Sequence, residues 1–196
     1  MNREENIEKR LTHSFFKIST ITAIAALLGL IAMIGISARY SYALENFGFA
    51  QGDIGRAMFE FADIRSSLRA AIGYDDQEAI DVVSKQHDEK KVVFEECFAE
   101  VEKTIVSKDG RKTYDEIKAE LDAYWELDAQ IMALGATTDR ELCRQAQELA
   151  LNELSTAYNS IYNKLEELLE VKVKEGNRLS TVLIVVEWIL ASREQG

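Results

Sequence analysis

Between residues 47 and 168, seam positions, nearly all of them apolar, recur at alternating steps of three and four. The first run reads Phe47, Ala50, Ile54, Ala57, Phe61, Ile64, Leu68, Ala71, and the second Ile80, Val83, His87, Lys90, Phe94, Cys97, Val101, Thr104. The third reads Tyr114, Ile117, Leu121, Tyr124, Asp128, Ile131, and the fourth Leu151, Leu154, Tyr158, Ile161, Leu165, Leu168. A period near 3.5 residues is the seam of left-handed helix packing, not the alternation of a strand. The runs are separated by Gly73-Tyr-Asp-Asp76, Lys108-Asp-Gly110 and Gly135-Ala-Thr-Thr138. Glycine in each break is expected to take the left-handed conformation that ends a helix. Asp75 with Glu78, Thr113 with Glu116 and Thr138 with Glu141 have the spacing of a reciprocal N-terminal cap. Short turns between such helices predict an all-α, antiparallel, up-down-up-down four-helix bundle. Helices of roughly 24–40 residues would run about 36–60 Å, a rod standing off a membrane.

The membrane expectation comes from Ile18–Ala38, which contains no charged residue. About 20 apolar residues span a bilayer core of about 30 Å. Arg3, Lys9, Arg10 and Lys17 precede the run, and basic residues on that side place it in the cytoplasm. Tyr40 and Tyr42 fall where an interfacial aromatic belt would lie. Ser41-Tyr-Ala43 has the small-x-small form of a signal-peptide cleavage site, so removal of the segment stays open. No glutamate lies between Leu11 and Ala38, which sets aside a pilin-type leader helix. The organisation expected is a cytoplasmic N-terminus at 1–17, a signal-anchor helix at 18–38, an extracytoplasmic bundle at 39–178, and a second, cut-short membrane segment at 179–196. Glu187 would be costly in hydrocarbon. The first and last bundle helices are expected to be continuous with these membrane segments.

Composition narrows the function. The 196 residues include no proline, consistent with long uninterrupted helices. From Tyr40 to Arg178 there are 17 Lys+Arg against 29 Asp+Glu. An acidic bundle repels nucleic acid, and no basic stripe interleaved with aromatics offsets this. Cys97 and Cys143 are too few for a metal motif. In the antiparallel layout they lie roughly 30 Å apart in height, beyond the ~7 Å a disulfide allows. His87 has Ser84 three residues before it, so the Glu-x-x-His of a di-iron bundle is absent, as is a haem-attachment motif. A buried, hydrogen-bonded or rim histidine is the reading for His87. No nucleophile–base pair or phosphate loop appears, so neither an enzyme nor a cofactor is expected.

Arg65 and Arg69 stand out. They are four apart, on one helix face, and directly follow the seam residues Ile64 and Leu68. Guanidinium forks there suit a carboxylate ligand; the alternative is pairing with acidic side chains of a neighbouring helix or protomer. The start of the fourth helix lies at similar height, bringing Arg144, Gln145 and Gln147 into the candidate site.

The span, the bundle and the stretch Ile64-Arg-Ser-Ser-Leu-Arg69 together resemble the extracytoplasmic four-helix-bundle sensor domain of bacterial methyl-accepting chemotaxis proteins. The resemblance implies a homodimer in the cytoplasmic membrane, with first helices facing each other. It also implies a small ligand such as an amino or organic acid, and a signal carried by displacement of the last helix. Arg65 and Arg69 match the location of ligand-holding arginines in dicarboxylate-binding members. The family's cytoplasmic signalling helices have no counterpart in these residues. Input domains of histidine kinases or cyclic-nucleotide enzymes, and a ligand-free dimerisation stalk, are the competing readings.

Overall fold

A computed structural model describes the backbone of residues 4–193 and the side chains of residues 9–179. Among the described residues there is no strand. The chain forms two units, Met1–Tyr42 and Ala43–Gly196.

The first unit is helix α1, Glu4–Ala43. Every side chain from Lys9 to Tyr42 is exposed. Among the described residues, the helix containing this stretch is the one long and apolar enough to cross a membrane, with a mean hydropathy of 2.4 in its most apolar window. Its polar groups are satisfied within the helix: Thr20 Oγ1 donates to the Phe16 carbonyl (2.8 Å) and Thr22 Oγ1 to the Ile18 carbonyl (2.9 Å). Such self-pairing suits a helix whose surroundings offer no hydrogen bonds.

The second unit opens with a π-helical segment, Leu44–Phe49, leading into α2, Ala50–Ala71. Then follow α3 (Gln77–Lys103), α4 (Lys108–Gly135) and α5 (Arg140–Leu149). A second π-helical segment, Ala150–Leu154, joins α5 to α6, Ser155–Arg193. Residues 180–193 continue α6 in backbone, but the side chains of the expected second membrane segment lie outside the described residues.

The seams of α2 and α4 are buried at every position read from the sequence. Phe61 sits at the centre. Its ring stacks on Tyr158 of α6 at 4.9 Å and meets Phe94 of α3 at 5.3 Å and Tyr124 of α4 at 4.9 Å. One buried aromatic thus ties four helices, each such ring contributing about 1.5–3 kcal/mol of burial. Toward the end of α2, the Ile64 carbonyl meets His87 and Arg65 meets Ser155. Relative to Phe61, contacts advance along α2 while receding along α3 and α6.

Three expectations are corrected. Leu151 is 64% exposed; Ala146, Ala150 and Leu154 carry the seam instead, in successive steps of four. The π-helical segment absorbs an extra residue there and turns Leu151 outward. The caps are Asp76, Ser107 and Asp139, which accept from the amides of Ala79, Gly110, and Glu141 with Leu142. They displace Asp75, Thr113 and Thr138, and Thr113 is buried inside α4. Finally, no glycine among the described residues has positive φ. Gly135 is required for close approach: a Cβ there would lie 2.4 Å from Ala146 Cβ and 2.8 Å from Ile72 Cγ2.

Cys97 and Cys143 are both buried. Cys143 donates its thiol proton to the Thr137 carbonyl (2.9 Å), bracing the turn between α4 and α5.

Candidate functional site

The five residues singled out in the sequence fall into three places. Arg65 is half-buried: it donates to Ser155 Oγ at 3.1 Å, and its guanidinium lies 4.2 Å from the centre of the Tyr158 ring. Arg69, one turn further, is exposed and makes no hydrogen bond or ion pair with the described residues. Both guanidinium charges bear on the Tyr124 and Tyr158 hydroxyls. Arg144 and Gln145 form a separate exposed cluster on α5. Arg144 pairs with Glu141 at 2.7 Å and with Glu148, and Gln145 donates to Glu141 at 3.0 Å. The bonds from Arg144 and Gln145, with the Arg144 charge, hold the Glu141 carboxyl at about 2, well below its ordinary range. Gln147 reaches α2 at a third place, donating to the Ile72 carbonyl at 2.9 Å. The fourth-helix partners of Arg65 are therefore Ser155 and Tyr158, beyond the π-helical segment. The extra residue in that segment shifts which face meets α2, which sequence spacing alone conceals.

Beside this arginine pair lies a buried polar layer. His87 and Asp128 are each 2% exposed, on seam positions of α3 and α4. His87 Nε2 lies 2.9 Å from Asp128 Oδ2. His87 Nδ1 lies 3.2 Å from the Ile64 carbonyl and 3.3 Å from Ser67 Oγ, both on α2. One imidazole thereby links three helices. Burial alone would lower its pKa, but the bond to Asp128, that carboxylate's charge and the Ile64 carbonyl outweigh it, leaving His87 above its ordinary value. Asp128 Oδ1, Tyr124 Oη and Ser84 Oγ are buried without hydrogen-bond partners among the described residues. Burial, reinforced by the Asp128 charge, pushes the Tyr124 phenol up and keeps it neutral. Sequence reasoning treated His87 and Asp128 separately. Two polar residues on the seams of successive helices were the available signal.

At the other end of the bundle Lys172 is fully buried. Its ammonium donates to the Thr104 carbonyl and to the Asn46 carbonyl (3.3 Å) and lies 5.7 Å from the Phe47 ring. Burial depresses its pKa against the opposing charge of Glu175. Lys172 continues the fourth seam from Leu168 by a step of four, a signal overlooked because lysine reads as a surface residue.

Among the described residues no cluster of histidine, cysteine and carboxylates is arranged to hold a metal. Helices tied by a buried polar layer, with a basic pair on one flank, make a helical bundle with a polar layer in its core. The comparison with family models agrees: residues 5–181 match the four-helix-bundle sensory module for signal transduction. The chain belongs to that family, the sensor type of methyl-accepting chemotaxis proteins. No curated protein and no solved structure matches the chain.

Proposed function

We propose that the chain is the extracytoplasmic input module of a chemoreceptor-type transducer in a bacterial cytoplasmic membrane. In this reading residues 18–38 anchor it with the N-terminus in the cytoplasm, and the helices beyond run up-down-up-down in antiparallel order outside. It works as a homodimer and binds a small carboxylate-bearing ligand, an amino or organic acid, at Arg65 and Arg69. It acts by rearrangement, not catalysis: the ligand shifts the helices only through unequal affinity for two arrangements.

The observation carrying the reading is the family match together with Arg69, an exposed cation left without an ion-pair partner in an acidic protein. Arg65 beside it is held over Tyr158 and oriented by Ser155, so one fork is positioned before any ligand arrives.

A thermal-shift panel of amino and organic acids on the full chain in lipid nanodiscs tests it. A ligand at 100 times its dissociation constant adds about 2.7 kcal/mol. Arg65→Ala and Arg69→Ala are expected to abolish that shift. A shift that survives both substitutions refutes the assigned site, and silence across the panel favours a stalk without a small ligand.

A further inference from the structure

We propose that the layer built from His87, Asp128, the Ile64 carbonyl and Ser67 is a proton-binding site, through which pH acts as an input on the packing of α2 against α3 and α4. It rests on the sensory reading of the bundle and adds a second ligand, the proton, at a place distinct from the arginine pair.

The geometry distinguishes the two protonation states. With a proton on each ring nitrogen, Nε2–H donates to Asp128 Oδ2 at 2.9 Å and Nδ1–H to the Ile64 carbonyl at 3.2 Å. Both acceptors are then served, and α3 is bonded to α4 and α2 at once. When His87 releases one proton to water, only one N–H remains. If it stays on Nε2, the bare Nδ1 faces the Ile64 carbonyl, lone pair against lone pair. Ser67 Oγ, 3.3 Å away, is then the donor within reach. That hydroxyl otherwise donates to the Ile64 carbonyl (2.9 Å) or the Asp63 carbonyl (3.0 Å). If the remaining proton sits on Nδ1, the bare Nε2 faces the Asp128 carboxylate, which is the costlier conflict because both are buried. Either way one interhelical bond is lost or exchanged. In the less costly Nε2–H form the exchange falls on the Ile64 carbonyl, which as a helical residue also accepts from the Leu68 amide.

The charged and titratable surroundings favour the protonated form. From α4 come Asp128 and, one turn before it, Tyr124, whose hydroxyl stays neutral. From α3 itself comes Asp88. From α2 the ring meets a carbonyl and a hydroxyl, while Arg65, Arg69 and Tyr158 of α6 bear on Tyr124. Lys90, one turn along α3, is held by Asp63 (2.5 Å) and Glu60 (3.4 Å) of α2. Ser67 faces α3 and Arg65 faces α6 from the same helix, so a change at the layer reaches the carboxylate site through displacement of α2 itself. By linkage, a ligand that prefers one state must then change proton affinity by the same factor.

The test is an NMR titration of the full chain in nanodiscs with labelled histidine, without added ligand. His13 and His87 are the histidines present, and His13→Gln assigns the signals. The expected result is a His87 midpoint above 6.5, with the Leu68 amide moving at the same midpoint. Asp128→Asn should weaken proton affinity at least tenfold, and His87→Gln should make the Leu68 amide indifferent to pH. A midpoint at or below 6.5, a still Leu68 amide, or a Leu68 transition that persists in His87→Gln overturns the proposal. If His87→Gln fails to fold, the wild-type and His13→Gln titrations still decide. Failure of the carboxylate panel would leave this titration unaffected, so the two readings fail separately.

Discussion

Replacing Gly135 by alanine should destabilise the bundle, whereas the same replacement at Gly55 should stabilise it. A methyl group on Gly135 would sit 2.4 Å from Ala146 Cβ and 2.8 Å from Ile72 Cγ2, where carbon atoms prefer about 3.5–4.0 Å. Neither neighbour can give way by changing rotamer alone. Ala146 has only its Cβ, fixed to a helix backbone and fully buried, and Ile72 is 2% exposed. Relief therefore requires α5 to move away from α4, opening the contact where Gln147 bonds Ile72. Overpacking of this kind costs about 1–3 kcal/mol, more than the fraction of a kcal/mol regained from helix propensity at a terminal residue. Gly55 lies inside α2 with no atom within 4 Å of its would-be Cβ. Alanine there should gain about 0.5–1 kcal/mol. Denaturant unfolding of the full chain in mild detergent, followed by helical circular dichroism, should separate the two variants by at least ~1.5 kcal/mol. If Gly135→Ala matches wild type or exceeds it, the close approach of the α4–α5 turn to Ile72 is wrong.

Further predictions concern the core and its buried charges. Phe61→Ala, removing the ring shared by four helices, should cost about 3–5 kcal/mol in the same assay. A loss below 1 kcal/mol would show that the aromatic centre is not packed as described. Stability should also depend on pH through His87, whose folded pKa lies above its ordinary value. That contribution is fully present below about 6.5 and is lost as pH rises through the folded value, at about 1.4 kcal/mol per unit of displacement. Wild type should therefore lose more stability than His87→Gln between pH 6 and pH 9, and equal losses would contradict it. Amine acylation followed by peptide mapping should modify Lys174, 77% exposed, while sparing Lys172. Equal modification would place Lys172 at the surface.

Much of this architecture is legible from spacing because burial repeats with the helix. The α2 run from Ala50 to Ala71 transfers to the core without change, each residue facing inward because no irregularity interrupts it, and Phe47, in the π-helical segment just before, is buried as well. Leu151 fails because a π-helical turn alters the phase locally, and nothing in Ala150-Leu-Asn-Glu-Leu154 announces that turn. The caps fail by chemistry: several polar residues crowd each break, and the cap is whichever has its oxygen aimed at a free amide. Asp76 and Asp139 win over neighbours one residue earlier. For the site, Arg65 and Arg69 could be placed on one face from their spacing. The partners Ser155 and Tyr158 could not, because a partner on another helix depends on relative height and rotation. His87 and Asp128 were visible as polar seam residues, but their 2.9 Å contact is a property of packing.

An input module must face the medium it samples, so cysteine accessibility in intact cells tests the account most directly. The native cysteines are buried, at 6% and 9% exposure, and give a low background. Lys108→Cys, exposed at the start of α4, should react with a membrane-impermeant maleimide in intact cells, while Lys9→Cys, exposed on α1, should react only after permeabilisation. Labelling of Lys9→Cys in intact cells with Lys108→Cys protected would put the bundle on the cytoplasmic side and contradict its role as an extracytoplasmic sensor.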